Sequence, residues 1–266
     1  MTGYAYLDAV LDAPGSIIAM AHRGGSLHPD MIGLENTLFA FRHAASLGFR
    51  YLETDVHVTR DGHLVAFHDA VLDRMTDRPG ALASVLADEL AEARIGGEHL
   101  VPSMAELLEE LPHCRFNIDL KAPGAVAPLA DLILRTGSRD RVCVGSFSSR
   151  ALRHFRLLTG GSVATSATPA EVAGFLASSG PVVGRLVGPR RFSVLQIPRR
   201  RGIVPLVTRS VVRRAHAAGV QVHVWTVDEP AEMEQLLDLG VDGLITDRTD
   251  VLKDVLIRRG LWRDLP

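Results

Sequence analysis

Cysteine is scarce in this chain: Cys114 and Cys143 are the only two in 266 residues. Two thiols exclude a disulfide framework, and their separation excludes a CxxC metal or redox site. Each sits in an apolar or strand-like run, so both are expected to be reduced core thiols. A surplus of charge of one sign is also lacking, since 29 Lys and Arg against 31 Asp and Glu give a formal net charge of −2. No global basic field is present to gather nucleic acid, and aromatics at 5% offer few stacking platforms for single strands, so no nucleic-acid partner is expected. No apolar run approaches the ~18 residues that a transmembrane helix needs. The N-terminus has no basic n-region, and Asp8, Asp12, Pro14 and Gly15 break its first apolar stretch. Neither a signal peptide nor integral membrane association is expected, and the expected location is the cytoplasm.

What is present is an ordinary globular composition, 47% hydrophobic and 23% charged, with a regular rhythm. Short β-branched runs fall near Ile17–His22, Tyr51–Val58, Arg115–Lys121, Val142–Phe147, Val163–Ala167, Val194–Ile197, Val220–Val227 and Gly243–Asp247. Between them, apolar spacing near 3.6 predicts helices over Glu35–Leu47, Met104–Leu111, Ala127–Arg135, Arg150–Leu158, Pro169–Ala177, Thr208–Ala218, Pro230–Leu239 and Thr249–Arg258. Such alternation over this length predicts one α/β domain, residues 1–266, folded as a (β/α)8 TIM barrel. A doubly wound sheet is the alternative, but no GxGxxG follows the first strand. Residues of about 60–103 break the rhythm with a strand-like piece, His63–His68, and two glycine-rich turns. This is too long for a common βα loop and is expected to be a small insertion over the barrel mouth, between strand 2 and helix 2.

Strand periodicity then selects residues. Along the second strand Leu52 and Val56 share one face, Glu53 and Asp55 the other; in the third, Phe116, Ile118 and Leu120 oppose Asn117, Asp119 and Lys121. Apolar faces go outward to the helices, so the charges point into the lumen, where each unpaired ion would cost several kcal/mol. That cost is avoided at the C-terminal mouth around a shared cation. Glu53, Asp55 and Asp119 form a hard all-oxygen ligand set suited to Mg²⁺ or Ca²⁺, with Mn²⁺ also compatible; a buried salt-bridge network with Lys121 or Arg23 would use the same residues. His22 and His68 end two strand-like runs and together can accept and donate a proton near neutral pH. Phosphodiester cleavage requires such a pair, plus positive charge around the phosphoryl oxygens, which Arg23, Lys121 and a divalent ion could provide.

The series His22-Arg23-Gly24, Glu35-Asn36-Thr37, Glu53-Thr54-Asp55-Val56, Thr59-Arg60-Asp61-Gly62, His68-Asp69, Asn117-Ile118-Asp119-Leu120-Lys121, Val224-Trp225-Thr226-Val227 and Gly243-Leu244-Ile245-Thr246-Asp247 resembles the glycerophosphodiester phosphodiesterase family. The resemblance implies a metal-dependent hydrolase that acts on small glycerophosphodiesters and releases glycerol 3-phosphate and an alcohol. It casts His22 and His68 as the acid/base pair, Arg23 and Lys121 as phosphate contacts, and Trp225 as a wall of the substrate pocket. Glu53, Asp55 and Asp119 become the metal ligands. It also places Glu35 near the site, beside Asn36, itself a candidate helix N-cap. His57, in phase with Glu53 and Asp55, is a candidate supporting group, and His223 is expected in the core or lumen.

The chain departs from the family pattern twice. Asp119 stands where the family usually has Glu, and Leu34 precedes Glu35 where proline is common, after the stretch His28-Pro29-Asp30-Met31-Ile32-Gly33. Arg199-Arg200-Arg201, with Arg190 and Arg191, reads either as a solvated basic loop or as an attractor of anionic headgroups. Competing functions on the same scaffold are a lysophospholipase D or sphingomyelinase-D-like phosphodiesterase, and a non-catalytic anion-binding barrel. Oligomeric state has no signature in the sequence.

Overall fold

A computed structural model of the protein describes residues 2–8, 16–178 and 191–263. Eight parallel strands surround a central lumen. They are β1 (Ile18–His22), β2 (Tyr51–Val58), β3 (Arg115–Leu120) and β4 (Val142–Gly145), followed by β5 (Ala164–Thr165), β6 (Val194–Pro198), β7 (Gln221–Trp225) and β8 (Gly243–Thr246). Hydrogen bonding runs in the order β5-β4-β3-β2-β1-β8-β7-β6. A parallel bridge between Ser166 and Val194 joins the two ends, reinforced by Ala167 N–H donating to the Val194 carbonyl at 2.9 Å. The result is the expected (β/α)8 barrel.

The outer layer consists of α1 (Leu38–Ser46), α2 (Met104–Glu110), α3 (Val126–Thr136), α4 (Ser149–Leu158), α5 (Pro169–Ala177), α6 (Arg209–Ala217), α7 (Pro230–Leu239) and α8 (Thr249–Arg258). Local sequence sets their ends. Thr168 opens α5 with a capping box to Glu171 and Pro169 in the first turn. Gly240, at φ +82°, closes α7 in the left-handed conformation. Helix α1 begins later than the expected Glu35, because Thr37 is its cap and accepts from Ala40 N–H. Asn36 is therefore not the N-cap. It sits at φ +59°, and its buried side chain bonds the second strand instead.

Leu52, Val56, Phe116, Ile118 and Leu120 face the helices in the main core, while the opposite faces of β2 and β3 enter the lumen. The lumen is layered. Its lower part is apolar, with Ile18, Met20, Tyr51, Cys143, Val194 and Ile245 packed on Tyr6 and Leu7 of a short helix, Ala5–Asp8. Tyr51 Oη and Gln221 Nε2 donate to the carbonyls of Tyr6 and Leu7 at 2.8 and 2.9 Å, which fastens that helix across the base. Both cysteines are free and buried. The upper part of the lumen carries the charges.

After β2 the chain leaves the barrel. Leu64–Ala66 pairs antiparallel with β2, and Val65, Phe67, Leu72, Leu82, Leu90 and Ile95 form a small separate apolar cluster. This cluster lets the excursion hold His68 over the mouth. The basic stretch after β6 is a short hairpin, Arg200–Arg201 against Val204–Pro205; Arg190 lies outside the described residues. No helix among the described residues is long and apolar enough to cross a membrane.

Candidate active site

All eight residues expected to be catalytic, metal-binding or substrate-binding line one cavity of ≈ 740 Å³ at the C-terminal ends of the strands. Register explains the convergence. In β1 and β2 His22 stands beside Glu53, and in β2 and β3 Glu53 stands beside Asn117 and Asp55 beside Asp119. Because neighbours in a parallel ladder share a face, one residue choice per strand puts the whole set on one floor. Gly145 continues the Asp119 row, and a Cβ there would come within 2.9 Å of Ser166 Oγ.

Each histidine is held by a carboxylate. His22 Nδ1 is 2.8 Å from Asp247 Oδ1, and His68 Nδ1 is 2.6 Å from Asp69 Oδ1. With Nδ1 occupied, Nε2 is the nitrogen each ring turns away from its carboxylate partner. Burial disfavours charge on His22, but Glu53, with Nε2 and Oε2 3.7 Å apart, and Asp247 outweigh it and raise its pKa to about 9. Asp69 is itself bonded by Arg74 Nε at 2.6 Å, and Arg74 reaches Glu35 Oε1 at 2.7 Å.

The carboxylates are less evenly served. Burial and repulsion from Asp55 push Glu53 up to about 8. Burial also raises Asp119. Lys121 Nζ bridges Asp55 at 2.9 Å and Asp119 at 2.7 Å; burial opposes its charge, but the two acids hold its pKa up. Asn36 Nδ2 donates to Asp55 Oδ2 at 3.3 Å, while its Oδ1 accepts from Thr54 Oγ1 at 2.8 Å. Arg23, at φ +49°, donates its backbone N–H to Glu53 Oε2 at 3.2 Å and a guanidinium N–H to Glu35 at 3.2 Å. Its Nε lies 3.1 Å from Asp55 Oδ2 as a charge pair without an aligned hydrogen bond.

The three expected metal ligands share the cavity without closing on a common point. Among the described residues, the set of three donors that do lie within 4.8 Å of one another is His28, Asp30 and His43. The mouth acids nonetheless fit a hard divalent cation. They offer only oxygen donors, set side by side on β2 and β3 by the strand register. Trp225 packs edge-on against Phe147, with centroids 6.1 Å apart, and the pair walls one side. Glu35 and His57 do not line the cavity. Glu35 joins Arg23 to Arg74, and His57 Nε2 donates to the His68 carbonyl at 3.1 Å. His223 is fully buried, below the charged layer.

Three contributors were not assigned roles from the sequence. Asp69 and Asp247 lie within the quoted motifs, and closing a barrel brings its last strand beside its first, so Asp247 could have been paired with His22. Arg74 has no sequence signal, because the fold of the insertion alone brings it to Asp69.

A parallel barrel with two carboxylate-bound imidazoles set among buried acids and cations is the frame of a phosphoric diester hydrolase. Residues 22–251 match the Glycerophosphoryl diester phosphodiesterase family, and the chain belongs to that family. It is 44% identical over 253 residues to "Probable glycerophosphodiester phosphodiesterase 2" of Mycobacterium tuberculosis, covering 93% of this chain and 94% of that one. It is 30% identical to a glycerophosphodiester phosphodiesterase of Caldanaerobacter subterraneus, covering 91% and 98%. The fold matches a phosphodiesterase of Oleispira antarctica solved with its product sn-glycerol-3-phosphate, at TM-score 0.74 and 21% identity over 90% of this chain and 96% of that one.

Proposed function

We propose that the protein hydrolyses small glycerophosphodiesters to glycerol 3-phosphate and a free alcohol in the cytoplasm, with His22 and His68 as the acid/base pair and a divalent cation, Mg²⁺ or Ca²⁺ with Mn²⁺ also suitable, at the mouth. The observation that carries this reading is the pair of carboxylate–imidazole contacts, His22–Asp247 and His68–Asp69, on one cavity. One Nε2 accepts the proton of the nucleophile and the other returns a proton to the departing alcohol. The nucleophile is water, or the substrate's glycerol hydroxyl, in which case a cyclic phosphodiester forms and water then opens it to glycerol 3-phosphate. Arg23 and Lys121 orient and neutralise the phosphoryl oxygens. Glu53, Asp55 and Asp119 would hold the cation, whose chemistry when bound is Lewis-acid withdrawal of charge from a phosphoryl oxygen.

A second reading has its own support. Beyond the charged floor the cavity is lined by Phe147, Val172, Leu176, Leu206 and Trp225, and the hairpin that follows β6 leaves Ile203 97% exposed. A diester with one apolar chain suits that wall, as in the lysophospholipase D of Rattus norvegicus, 25% identical over 89% of this chain. The test is release of glycerol 3-phosphate from glycerophosphocholine by purified protein, after EDTA and after each cation, beside lysophosphatidylcholine. Metal-restored turnover of the soluble diester is expected. Turnover of the lysolipid alone moves the assignment to the second reading, and silence on both refutes the proposal.

A further inference from the structure

The residues of the mouth leave a second cluster unexplained. His28 follows β1 and His43 lies on α1; their rings meet with centroids 4.5 Å apart. Asp30 Oδ2 sits 3.9 Å from His28 Nδ1 and 4.0 Å from His43 Nε2, and the three donors fall within 4.8 Å of one another. Hydrogen bonding alone does not account for this grouping. His43 turns Nε2 toward Asp30, and 4.0 Å is too long for a hydrogen bond; Nδ1, on the other side of the ring, is buried without a partner. His28 Nδ1 accepts one 3.2 Å contact from Asp30 N–H, which an ion bound at that nitrogen would replace.

We propose that His28, Asp30 and His43 bind a borderline divalent metal ion of the Zn²⁺ type, separate from the all-oxygen set at the mouth. Two imidazoles and one carboxylate are the donors such ions favour over Mg²⁺ or Ca²⁺. Tetrahedral bonds of ~2.0–2.2 Å place donors roughly 3.4 Å apart, so the Asp30 contacts at 3.9 and 4.0 Å must shorten and the imidazole nitrogens, within 4.8 Å of one another, must draw together. The Asp30 side chain, 75% exposed, can rotate to shorten its own contacts, turns of the two imidazoles close the remainder, and a water completes the shell. The bound ion ties the loop after β1 to helix α1. That loop carries Glu35 and Asn36, which brace Arg23 and Asp55, so the ion stiffens the approach to the mouth without entering it.

The test uses Co²⁺ as a visible probe on the full-length chain, in excess Mg²⁺ to occupy the mouth acids. One equivalent of Co²⁺ is expected to give the intense d–d bands of a four-coordinate nitrogen/oxygen site, displaced by Zn²⁺. His43→Gln should weaken binding about tenfold or more, the low end for disturbed metal sites, and a Glu53→Gln, Asp55→Asn double variant should leave the bands unchanged. Circular dichroism checks each fold; Asp30→Asn, at an exposed carboxylate, gives the same reading if His43→Gln does not fold. No four-coordinate bands in the wild type, bands that survive both His43→Gln and Asp30→Asn, or bands abolished by the mouth double variant overturn the proposal.

Discussion

Replacing Asp247 by Asn separates holding His22 in place from charging it. The carboxylate accepts from His22 Nδ1 at 2.8 Å and from Ser26 Oγ at 2.5 Å, while the backbone N–H of Asp247 is fixed by Asp228 at 2.8 Å. Asn preserves the shape, so the ring should keep its place. It removes the negative charge that steadies the imidazolium, and its amide can donate to Nδ1 and shift the proton to Nε2. The corresponding exchange in serine-protease triads costs about 10⁴ in kcat, and acid–base catalysis as a whole contributes about 10²–10⁴. A fall of ~10²–10⁴ in kcat is therefore expected with KM little changed, followed as glycerol 3-phosphate release. In EDTA-treated protein, NMR titration should show the His22 pKa falling from about 9 toward the ordinary ~6.5. The sign for stability follows from the raised pKa. The stabilisation is complete below ~6.5 and is lost as pH rises through about 9, so wild type and variant should differ in stability near pH 6 and converge above pH 9. A folded Asp247→Asn enzyme with wild-type kcat would refute the role assigned to this contact.

Three further outcomes are expected. Arg74→Ala frees Asp69 and Glu35; these contacts are partly exposed, so the stability loss should be only about 1 kcal/mol, whereas kcat should fall through misplacement of His68. Because burial is outweighed by the Arg74 bond, Asp69 is lowered to about 2, so its stabilisation is present above ~4 and lost as pH falls through about 2; denaturation between those values should show a shallower acid slope in the variant. Gly24→Ala forces a side chain at φ +87°, with its Cβ 2.8 Å from Ala40 Cβ and 3.0 Å from backbone; a loss of about 2–4 kcal/mol is expected by thermal or urea unfolding. Asp119→Asn should weaken Mg²⁺ or Ca²⁺ dependence of turnover by about tenfold or more, and unchanged cation dependence would remove Asp119 from the ligand set.

The barrel and most of its mouth were legible because they rest on period-two strands. Glu53, Asp55 and Asp119 alternate with apolar neighbours, so their inward direction follows from one face being packed on helices. Helix ends were less legible where a polar run offers several caps. Glu35-Asn36-Thr37 contains two plausible ones, and the choice fell to Thr37 once Asn36 was engaged by Thr54 and Asp55. Long-range partners such as Arg74 for Asp69, or Gln196 for Asn117 at 2.8 Å, depend on loop paths and strand adjacency, which have no local pattern. Likewise, the placement of Lys121 between Asp55 and Asp119 is a balance of charges that strand alternation alone does not reveal.

The helix at Ala5–Asp8, fastened under the lumen by Tyr51 and Gln221, makes the barrel a cup and not a pipe. Tyr6 and Leu7 are fully buried there, so among the described residues the base is closed, and the cavity includes Phe147, Trp225 and Arg201 at its mouth. On the proposed function, an anionic product held by Arg23 and Lys121 would stand in the path of the next substrate. Product would then compete with substrate, and turnover would follow how quickly the cup empties.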